Sequence, residues 1–320
     1  MECNHPVKTL LYMAFSVICI LSPVSAMGQS EHTSLEIPLT AITYTDSRGV
    51  SITLSDIPRK IISLSPNVTE TLFALGLQER IVGRTDYCTY PAETASIASM
   101  GDLFSPSVEK ILSMDPDLVI VSTLGQSQTI EAIESIGVPV AFIDEQDSME
   151  GTYRIILDIA RLTGTETQGN QIVASMKERI EEVVAKVSTQ PAPSVYYVAG
   201  FGEWGDFGAT GDTYIHDLII LAGGRNVAEK ANSWSFQLEL LVESDPSIIV
   251  LPPSWDSTFE ETRRQFVVSN GYKNLTAVKT GRIYPIDSTI VERQGPRSAQ
   301  AVEALARIFH PNLMGTGENP

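Results

Sequence analysis

Seven aromatic side chains and one arginine lie between the predicted helices and strands, where core packing does not require rings. Flat rings in such segments can stack on a large planar or macrocyclic ligand, and a guanidinium can meet a carboxylate, a phosphate or an amide edge. Ligands of open α/β sheets bind beyond the carboxyl ends of the strands. The predicted ligand-binding residues are Tyr87, Tyr90, Phe104, Phe201, Trp204, Phe207, Trp234 and Arg293.

Residue types that perform catalysis or hold a metal ion are not grouped in the sequence. The histidines, at positions 5, 32, 216 and 310, are scattered, and neither a His-Glu-x-x-His nor a Gly-x-Ser-x-Gly motif occurs. Cys88 is left alone, because Cys3 and Cys19 precede the expected mature chain. A transition-metal site usually needs clustered imidazoles and carboxylates. We therefore predict a protein that is not an enzyme and that has no catalytic residues, metal site or cofactor.

The stretch Gly200-Phe201-Gly202-Glu203-Trp204-Gly205 has the spacing of a dinucleotide-binding fingerprint and follows a predicted strand. That fingerprint also needs a helix that begins at its glycines, because the helix N-terminus holds the pyrophosphate. Residues 206–211 are instead typical of a loop, so nucleotide binding is disfavoured.

Short, continuous apolar runs predict strands that are buried on both faces. They alternate with helical stretches, which predicts parallel sheets covered by helices and an α/β fold. Before them, alternating apolar residues on either side of a glycine-containing turn predict a β-hairpin over 42–45 and 50–54. The predicted sheet strands are 61–64, 118–121, 138–143, 195–199, 248–251 and 283–284.

The segment Glu166–Val187 has apolar residues at helical spacing and a polar opposite face. A helix of this length spans about 33 Å. It lies between two strand-rich halves, so it is predicted to be a stiff connection between two lobes. The alternative is a long surface helix within one lobe.

The two halves share an internal repeat at a constant offset. Residues 107–121 align with 237–251, so that Glu109 matches Glu239 and each copy has Asp-Pro between a short helix and a strand. The proline ends the helix and favours extended geometry for the preceding Asp115 or Asp245. Each glutamate has a simple explanation, since a carboxylate in the first turn of a helix is stabilised by the helix dipole.

The N-terminus has Lys8, an apolar run over 10–21, and small residues before Ala26, which predicts a secretory signal peptide cleaved after Ala26. The formal net charge of −17 disfavours binding to nucleic acid and to anionic lipid surfaces. The predicted divisions are a signal peptide (1–26), an N-terminal extension with the hairpin (27–56), an N-terminal lobe (57–165), a linking helix (166–188) and a C-terminal lobe (189–320).

Several ordered segments resemble the bacterial binding proteins for vitamin B12, haem and ferric siderophores that serve ATP-driven importers. The likeness extends over about residues 42–310, and its specificity lies in the order and spacing of the motifs. The matching segments are 61–70 (Ile-Ile-Ser-Leu-Ser-Pro-Asn-Val-Thr-Glu), 74–76 (Ala-Leu-Gly), Val82-Gly83, Tyr90-Pro91, 106–109, 116–119, and 221–224 with Asn226.

The resemblance implies two Rossmann-like lobes joined by one long α-helix, with the ligand in the cleft between them. It also implies an exported monomer that delivers its ligand to an ABC permease dimer with ATPase subunits. Glu109 and Glu239 match the positions that dock onto arginines of the permease. Tyr87 and Arg293 match ligand-contacting positions of the B12-binding members, and Phe201 and Trp234 match approximately.

The ligand is expected to be a corrinoid first, haem second and a ferric siderophore third, each of which carries cobalt or iron as part of the cargo. Leu103 and Ser122 occupy positions where the B12-binding members would have tryptophan, which argues against B12 itself. Haem would use the phenolate of Tyr87 or Tyr90 as an iron ligand, and an anionic siderophore would need more positive charge than Arg84 and Arg293 supply. The other functions considered are a ligand sensor of the same fold without transport and, further away, a metal-ion binder or an enzyme.

Overall fold

The computed structural model describes residues 41–122, 127–202, 205–254 and 257–314. The predicted signal peptide, most of the segment that follows it, and Trp204 lie outside the described residues. The description begins with the predicted hairpin, whose antiparallel strands are β1 (Ile42–Thr45) and β2 (Ser51–Leu54).

The N-terminal lobe is built on a four-stranded parallel sheet in the order β4-β3-β5-β6. Its central strands carry side chains that are buried on both faces, which is why they appear as continuous apolar runs in the sequence. The elements are β3 (Ile61–Ser63), α1 (Pro66–Ala74), β4 (Ile81–Arg84), α2 (Val108–Ser113), β5 (Leu118–Ser122), α3 (Ser127–Glu134), β6 (Val140–Ile143) and α4 (Met149–Thr163).

The hairpin packs on this lobe. Tyr44 and Leu54 are buried in the same apolar cluster as the sheet, and the Tyr44 hydroxyl donates to Asp158 on α4 at 3.2 Å. The buried carboxylate of Asp46 accepts from the backbone N–H of Val50 and from the Arg48 guanidinium. The segment predicted as an extension therefore contributes to the core of the N-terminal lobe.

Helix α5 (Glu166–Val187) occupies the segment whose periodicity predicted it. It begins at Glu166, directly after the Gly164-Thr165 link that follows α4, and packs along α4. A Cβ at Gly169 would lie 2.5 Å from the Ala160 Cβ, so glycine permits the close approach of the two helices. Further along, Met176, Val183 and Val187 join an apolar cluster that includes strands and helices of the following half.

The C-terminal lobe has a second sheet in the order β11-β10-β7-β8, with β9 also pairing with β7. The pairs of β7 with β10 and β9, and of β10 with β11, are parallel, whereas β8 is antiparallel to β7. The elements are β7 (Ser194–Gly200), β8 (Phe207–Gly208), α6 (Tyr214–Leu221), β9 (Arg225–Asn226), α7 (Leu238–Ser244), β10 (Ile248–Val250), α8 (Phe259–Val268), α9 (Thr276–Lys279), β11 (Ile283–Tyr284), α10 (Ser288–Val291), α11 (Ser298–Phe309) and α12 (Pro311–Met314).

The predicted strands are all present, with ends that differ by no more than two residues. The glycine-rich stretch at 200–205 does not open a helix within the described residues, since the next helix begins at Tyr214. Pro66 is the first residue of α1, where its missing N–H costs nothing.

The expectation of extended geometry before the two prolines was wrong. Asp115 and Asp245 have φ angles of 50° and 38°, in the left-handed region. Aspartate tolerates this conformation because its short carboxylate can bond locally. At Asp245 the carboxylate accepts from the backbone N–H and the hydroxyl of Thr276 at 2.7 and 2.6 Å, which fixes the end of α7.

Candidate functional site

A cleft of about 1500 Å³ lies between the two lobes. It is lined mainly by the segments that follow the strands of both sheets. In parallel sheets these carboxyl ends all lie at one edge, and backbone groups and side chains from several loops converge there. The two sheets thus direct their ligand-binding edges at a common space.

The N-terminal wall of the cleft is largely polar. Ser65, Pro66 and Asn67 follow β3, and Asn67 donates its amide to the Ser122 hydroxyl at the end of β5 at 3.2 Å. Farther along the wall the lining includes Asp86, Tyr87, Thr89, Asp102, Leu103, Asp144, Glu145 and Asp147.

The C-terminal wall is largely apolar. Three prolines, Pro252, Pro253 and Pro285, follow β10 and β11, and Phe201 follows β7. The Phe201 ring is held edge-on against the rings of Phe266 and Tyr272, with centroids 5.1 and 6.1 Å away. This wall is therefore a preformed apolar surface.

Three of the seven predicted aromatic residues line the cleft. They are Tyr87, Phe201 and Trp234. Trp234 has a φ of 61°, and its backbone N–H donates to the Thr210 hydroxyl at 3.0 Å, so a local hydrogen bond fixes the loop that carries the indole. Tyr87 is also in contact with other groups of the chain, including an edge-on ring contact with Phe104.

Three other predicted aromatic residues lie outside the cleft lining. Tyr90 and Phe104 are each 45% exposed and Phe207 is 40% exposed. The Tyr90 ring lies 3.9 Å from the Arg297 guanidinium carbon, and Phe104 contacts Tyr87. Sequence position alone could not separate these exposed rings from those that line the cleft, because both groups lie between the predicted helices and strands.

Arg293 lines the cleft, but its guanidinium already has partners within the chain. It donates to Glu70 Oε1 at 2.8 Å, to the Tyr87 carbonyl at 3.3 Å and to the Thr89 hydroxyl at 3.4 Å. Arg84, the other cation considered for the cleft, is not in the lining and donates to the carbonyls of Thr94 and Thr85.

Carboxylates dominate the charge of the cleft. Among the described lining residues, seven carboxylates face one guanidinium, that of Arg293, and no lysine or histidine is included. The seven are Asp86, Asp102, Asp144, Glu145, Asp147, Asp287 and Glu292.

Several of these carboxyl groups titrate above their ordinary range. Burial raises the pKa of Asp147, against the opposing effect of a hydrogen bond from the Tyr214 backbone. Burial also raises the pKa of Glu292, although the Tyr197 hydroxyl donates to it at 2.9 Å. Glu292 is accessible from the cleft, yet the surrounding protein atoms displace much of its hydration shell. The negative charge of the cleft therefore decreases at acidic pH.

Some lining residues were missed by the sequence analysis. Tyr214 is buried at the first position of α6, and its hydroxyl donates to the Arg293 carbonyl at 3.2 Å. Pro252, Pro253 and Pro285 could have been predicted as lining residues, because they lie just after predicted strands. Leu103 and Ser122, where tryptophan was the family expectation, do line the cleft.

Glu109 and Glu239 are not among the residues that line the cleft. Each occupies the second position of a short surface helix, α2 or α7, and each is exposed. Neither forms an ion pair with another described residue. Each lobe thus presents one solvated carboxylate at an equivalent position of the repeat.

Within the described part of the chain, no group of three or more histidine, cysteine, aspartate or glutamate side chains could hold a metal ion. The same residues contain no helix that combines the length and the apolar character needed to cross a membrane. Cys88 is buried, and its thiol contacts the Thr85 hydroxyl at 3.3 Å.

The family model described as periplasmic binding protein matches residues 61–290, which include both sheets and the helix between them. The chain belongs to the periplasmic binding protein family. An uncharacterised ABC transporter substrate-binding lipoprotein of Bacillus subtilis is 30% identical over 289 residues, covering 85% of this chain and 86% of the relative.

Two further members of the family carry ligand names. A cobalamin-binding protein of Halobacterium salinarum is 27% identical over 84% of this chain and 74% of its own. The apo structure of a periplasmic heme-binding protein from Roseiflexus sp. RS-1 is 26% identical, with a TM-score of 0.71 over 80% of this chain and 99% of that one. The two-lobed α/β architecture is therefore common to this chain and to solved members of the family.

Proposed function

We propose that this protein is the exported solute-binding component of an ABC importer and that it captures a corrinoid in the cleft between its lobes. The observation that carries the proposal is a cleft of about 1500 Å³ in which, among the described lining residues, seven carboxylates face a single, already paired guanidinium. The names of the Bacillus and Halobacterium relatives support the two parts of the proposal, transport and cobalamin.

The size of the cleft favours a bulky ligand. Pockets for drug-sized molecules usually enclose about 300–1,000 Å³, and this cleft exceeds that range. Its apolar C-terminal wall, with Phe201, Trp234 and the three prolines, suits the flat face of a macrocycle.

The charge of the cleft distinguishes among bulky ligands. Haem carries two propionate carboxylates and catecholate iron chelates are anionic, whereas the corrin ring carries uncharged amides around its edge. A carboxylate 4 Å from a like charge costs about 4 kcal/mol at an effective dielectric constant of 20. The lining carboxylates can instead accept hydrogen bonds from amide N–H groups.

The direct test is titration of the purified mature protein with cyanocobalamin, hemin and a ferric catecholate chelate, followed by absorbance and tryptophan quenching. We expect one equivalent of cyanocobalamin to bind more tightly than either anion. Added salt should weaken cyanocobalamin binding little, because charge pairing contributes little to it. Tighter binding of hemin, or no binding of cyanocobalamin, would contradict the corrinoid assignment.

Delivery to a permease is supported by the equivalent placement of Glu109 and Glu239 on the two lobes. An exposed carboxylate on each lobe can form charge-assisted contacts that fix orientation on a two-fold symmetric partner. The double charge reversal Glu109→Lys and Glu239→Lys is expected to reduce import at least tenfold, while the ligand dissociation constant stays within twofold of wild type.

The matched control is Glu260→Lys, since Glu260 is also exposed in the first turn of a helix. It should leave import unchanged. Normal import by the double variant would contradict the docking role, whereas normal import in cells that lack the protein altogether would favour a ligand sensor that does not deliver its ligand.

Haem is the second candidate ligand, favoured by the presence of Tyr87 in the lining and by the heme-binding relative. A phenolate can serve as an axial iron ligand. If haem is the ligand, hemin will give a Soret band that shifts in Tyr87→Phe and not in Tyr90→Phe, whose ring lies outside the lining.

A further inference from the structure

A buried carboxylate of the N-terminal lobe is ion-paired with two arginines of the C-terminal lobe. Glu70 lies on α1, and its side chain is only 2% exposed. Arg297 donates from Nε to Oε2 at 2.8 Å and from Nη2 to Oε1 at 2.7 Å, and Arg293 donates from Nη1 to Oε1 at 2.8 Å. The three side chains connect segments more than 220 residues apart at the edge of the cleft.

Both guanidiniums have further partners that fix them in place. Arg293 also donates to the Tyr87 carbonyl and the Thr89 hydroxyl of the N-terminal lobe. Arg297 donates to the carbonyl and hydroxyl of Thr289 in its own lobe, and it lies over the ring of Tyr90. The bidentate pairing of the Arg297 guanidinium with the Glu70 carboxylate is directional as well as strong.

The charge of the cluster matters because Arg293 is also part of the cleft wall. With Glu70 ionised, one carboxylate within hydrogen-bond distance offsets part of the positive charge of the two guanidiniums. Without Glu70, two guanidiniums would be left with no buried counter-charge, and Arg293 would present its charge to the cleft. Removing one member of a buried ion pair leaves such an uncompensated charge.

We infer that Glu70 is a positioning residue that sets both the width and the charge selectivity of the cleft, by tying Arg293 and Arg297 to the N-terminal lobe. The selectivity part rests on the proposed function. In that role Arg293 supports the ligand site as one partner of an interlobe ion pair, and its attraction for anionic ligands is reduced.

The variant Glu70→Gln tests both parts. The first measurement needs no ligand: spin labels at Glu131→Cys on α3 and Glu243→Cys on α7, in a Cys88→Ser background, report the distance between the lobes. We expect a single narrow distance distribution with Glu70 present and a broader or shifted one in Glu70→Gln. The second measurement is the ratio of the dissociation constants of hemin and cyanocobalamin, which should fall at least tenfold in Glu70→Gln as hemin binding improves.

Two variants separate positioning from general damage. Glu303→Gln is a matched control, because Glu303 also lies between two arginines, Arg179 and Arg307, but away from the cleft. It should leave both measurements unchanged. Glu70→Asp keeps the charge with a shorter reach, so it should broaden the distance distribution while the hemin-to-cyanocobalamin ratio stays near wild type.

Arg293→Gln provides a second route if Glu70→Gln does not fold. It leaves the Glu70–Arg297 pair intact, so the lobes should stay at their normal distance. It also removes the cleft guanidinium, so the hemin-to-cyanocobalamin ratio of dissociation constants should rise. The inference would be overturned if Glu70→Gln changed neither the distance between the spin labels nor the hemin-to-cyanocobalamin ratio of dissociation constants. It would also be overturned if that ratio fell in Arg293→Gln. If the wild-type protein binds neither ligand, the proposed function fails, and the distance measurement alone decides whether Glu70 positions the lobes.

Discussion

The N-terminal lobe contributes five of the seven carboxylates in the described cleft lining, whereas the C-terminal lobe contributes most of its apolar surface. The two lobes nevertheless share the helix–Asp–Pro–strand unit. In both copies a glutamate occupies the second helical position, and the aspartate before the proline is left-handed. The shared unit leads into a strand in each lobe, and the loops beyond the strands, which differ, supply the side chains of the cleft.

The largest expected effect comes from the apolar wall. Trp234→Ala should weaken cyanocobalamin binding about thirtyfold, or about 2 kcal/mol, because a large aromatic contact surface is lost. Isothermal titration calorimetry measures this change. Phe207→Ala is the control, since Phe207 lies on the adjacent strand but outside the lining, and an equal loss in both variants would remove the distinction between the two rings.

The polar wall should control the choice among ligands more than the affinity for a neutral one. The double variant Asp86→Asn and Asp144→Asn is expected to tighten hemin binding about tenfold, since two like charges are removed from the path of its propionates. Cyanocobalamin affinity should change less than threefold. Glu131→Gln, which neutralises a carboxylate on the same lobe away from the cleft, serves as the control. Equal hemin affinity in the wild type, the double variant and the control would exclude a role for the charge of the polar wall.

The two left-handed aspartates offer a comparison within the repeat. Asp245→Gly removes two hydrogen bonds to Thr276, while Asp115→Gly removes only an exposed ion pair with Lys60. Urea unfolding should therefore show Asp245→Gly to be about 1 kcal/mol less stable than Asp115→Gly. Equal stabilities would mean that the Thr276 contacts contribute nothing measurable.

The smallest effect concerns pH. Because burial raises the pKa of Glu292, ionising it costs stability in the folded state, so the wild-type protein loses stability as pH rises from the ordinary glutamate range through the raised pKa. Glu292→Gln should be more stable than wild type at pH 7 by less than about 1 kcal/mol, since the group is partly hydrated. Thermal unfolding should show the difference disappearing near pH 4, and a constant difference at all pH values would contradict this origin.

The elements of the fold that could be predicted from the sequence are those with a strong periodic signal. Helix α5 has a helical apolar period and the hairpin alternates, while the buried strands are apolar runs too short for a helix and bounded by turn residues. Strand β4 was missed because Ile81 and Val82 are followed by Gly83 and Arg84, which break the apolar run at a sheet edge.

The candidate site was only partly predictable. Loop position identified Tyr87, Phe201, Trp234 and Arg293 as lining residues, but it could not show that Tyr90 and Phe104 lie outside the lining. The pairing of Arg293 with Glu70 brings together residues 223 positions apart, and no local pattern in the sequence reports such a contact. The charge of a residue can be read from its type, whereas its counter-charge depends on the tertiary fold.

Helix α4 lies between the two hydrophobic cores. Ile155, Ile159 and Leu162 are buried with the N-terminal sheet, while Tyr153 and Ile156 are buried with α5 and the C-terminal lobe. Neither core can lose its order without exposing one face of this helix, so the lobes are expected to melt as one cooperative unit. We therefore expect a single calorimetric transition, and a ligand bound in the cleft should raise the melting temperature of that one transition.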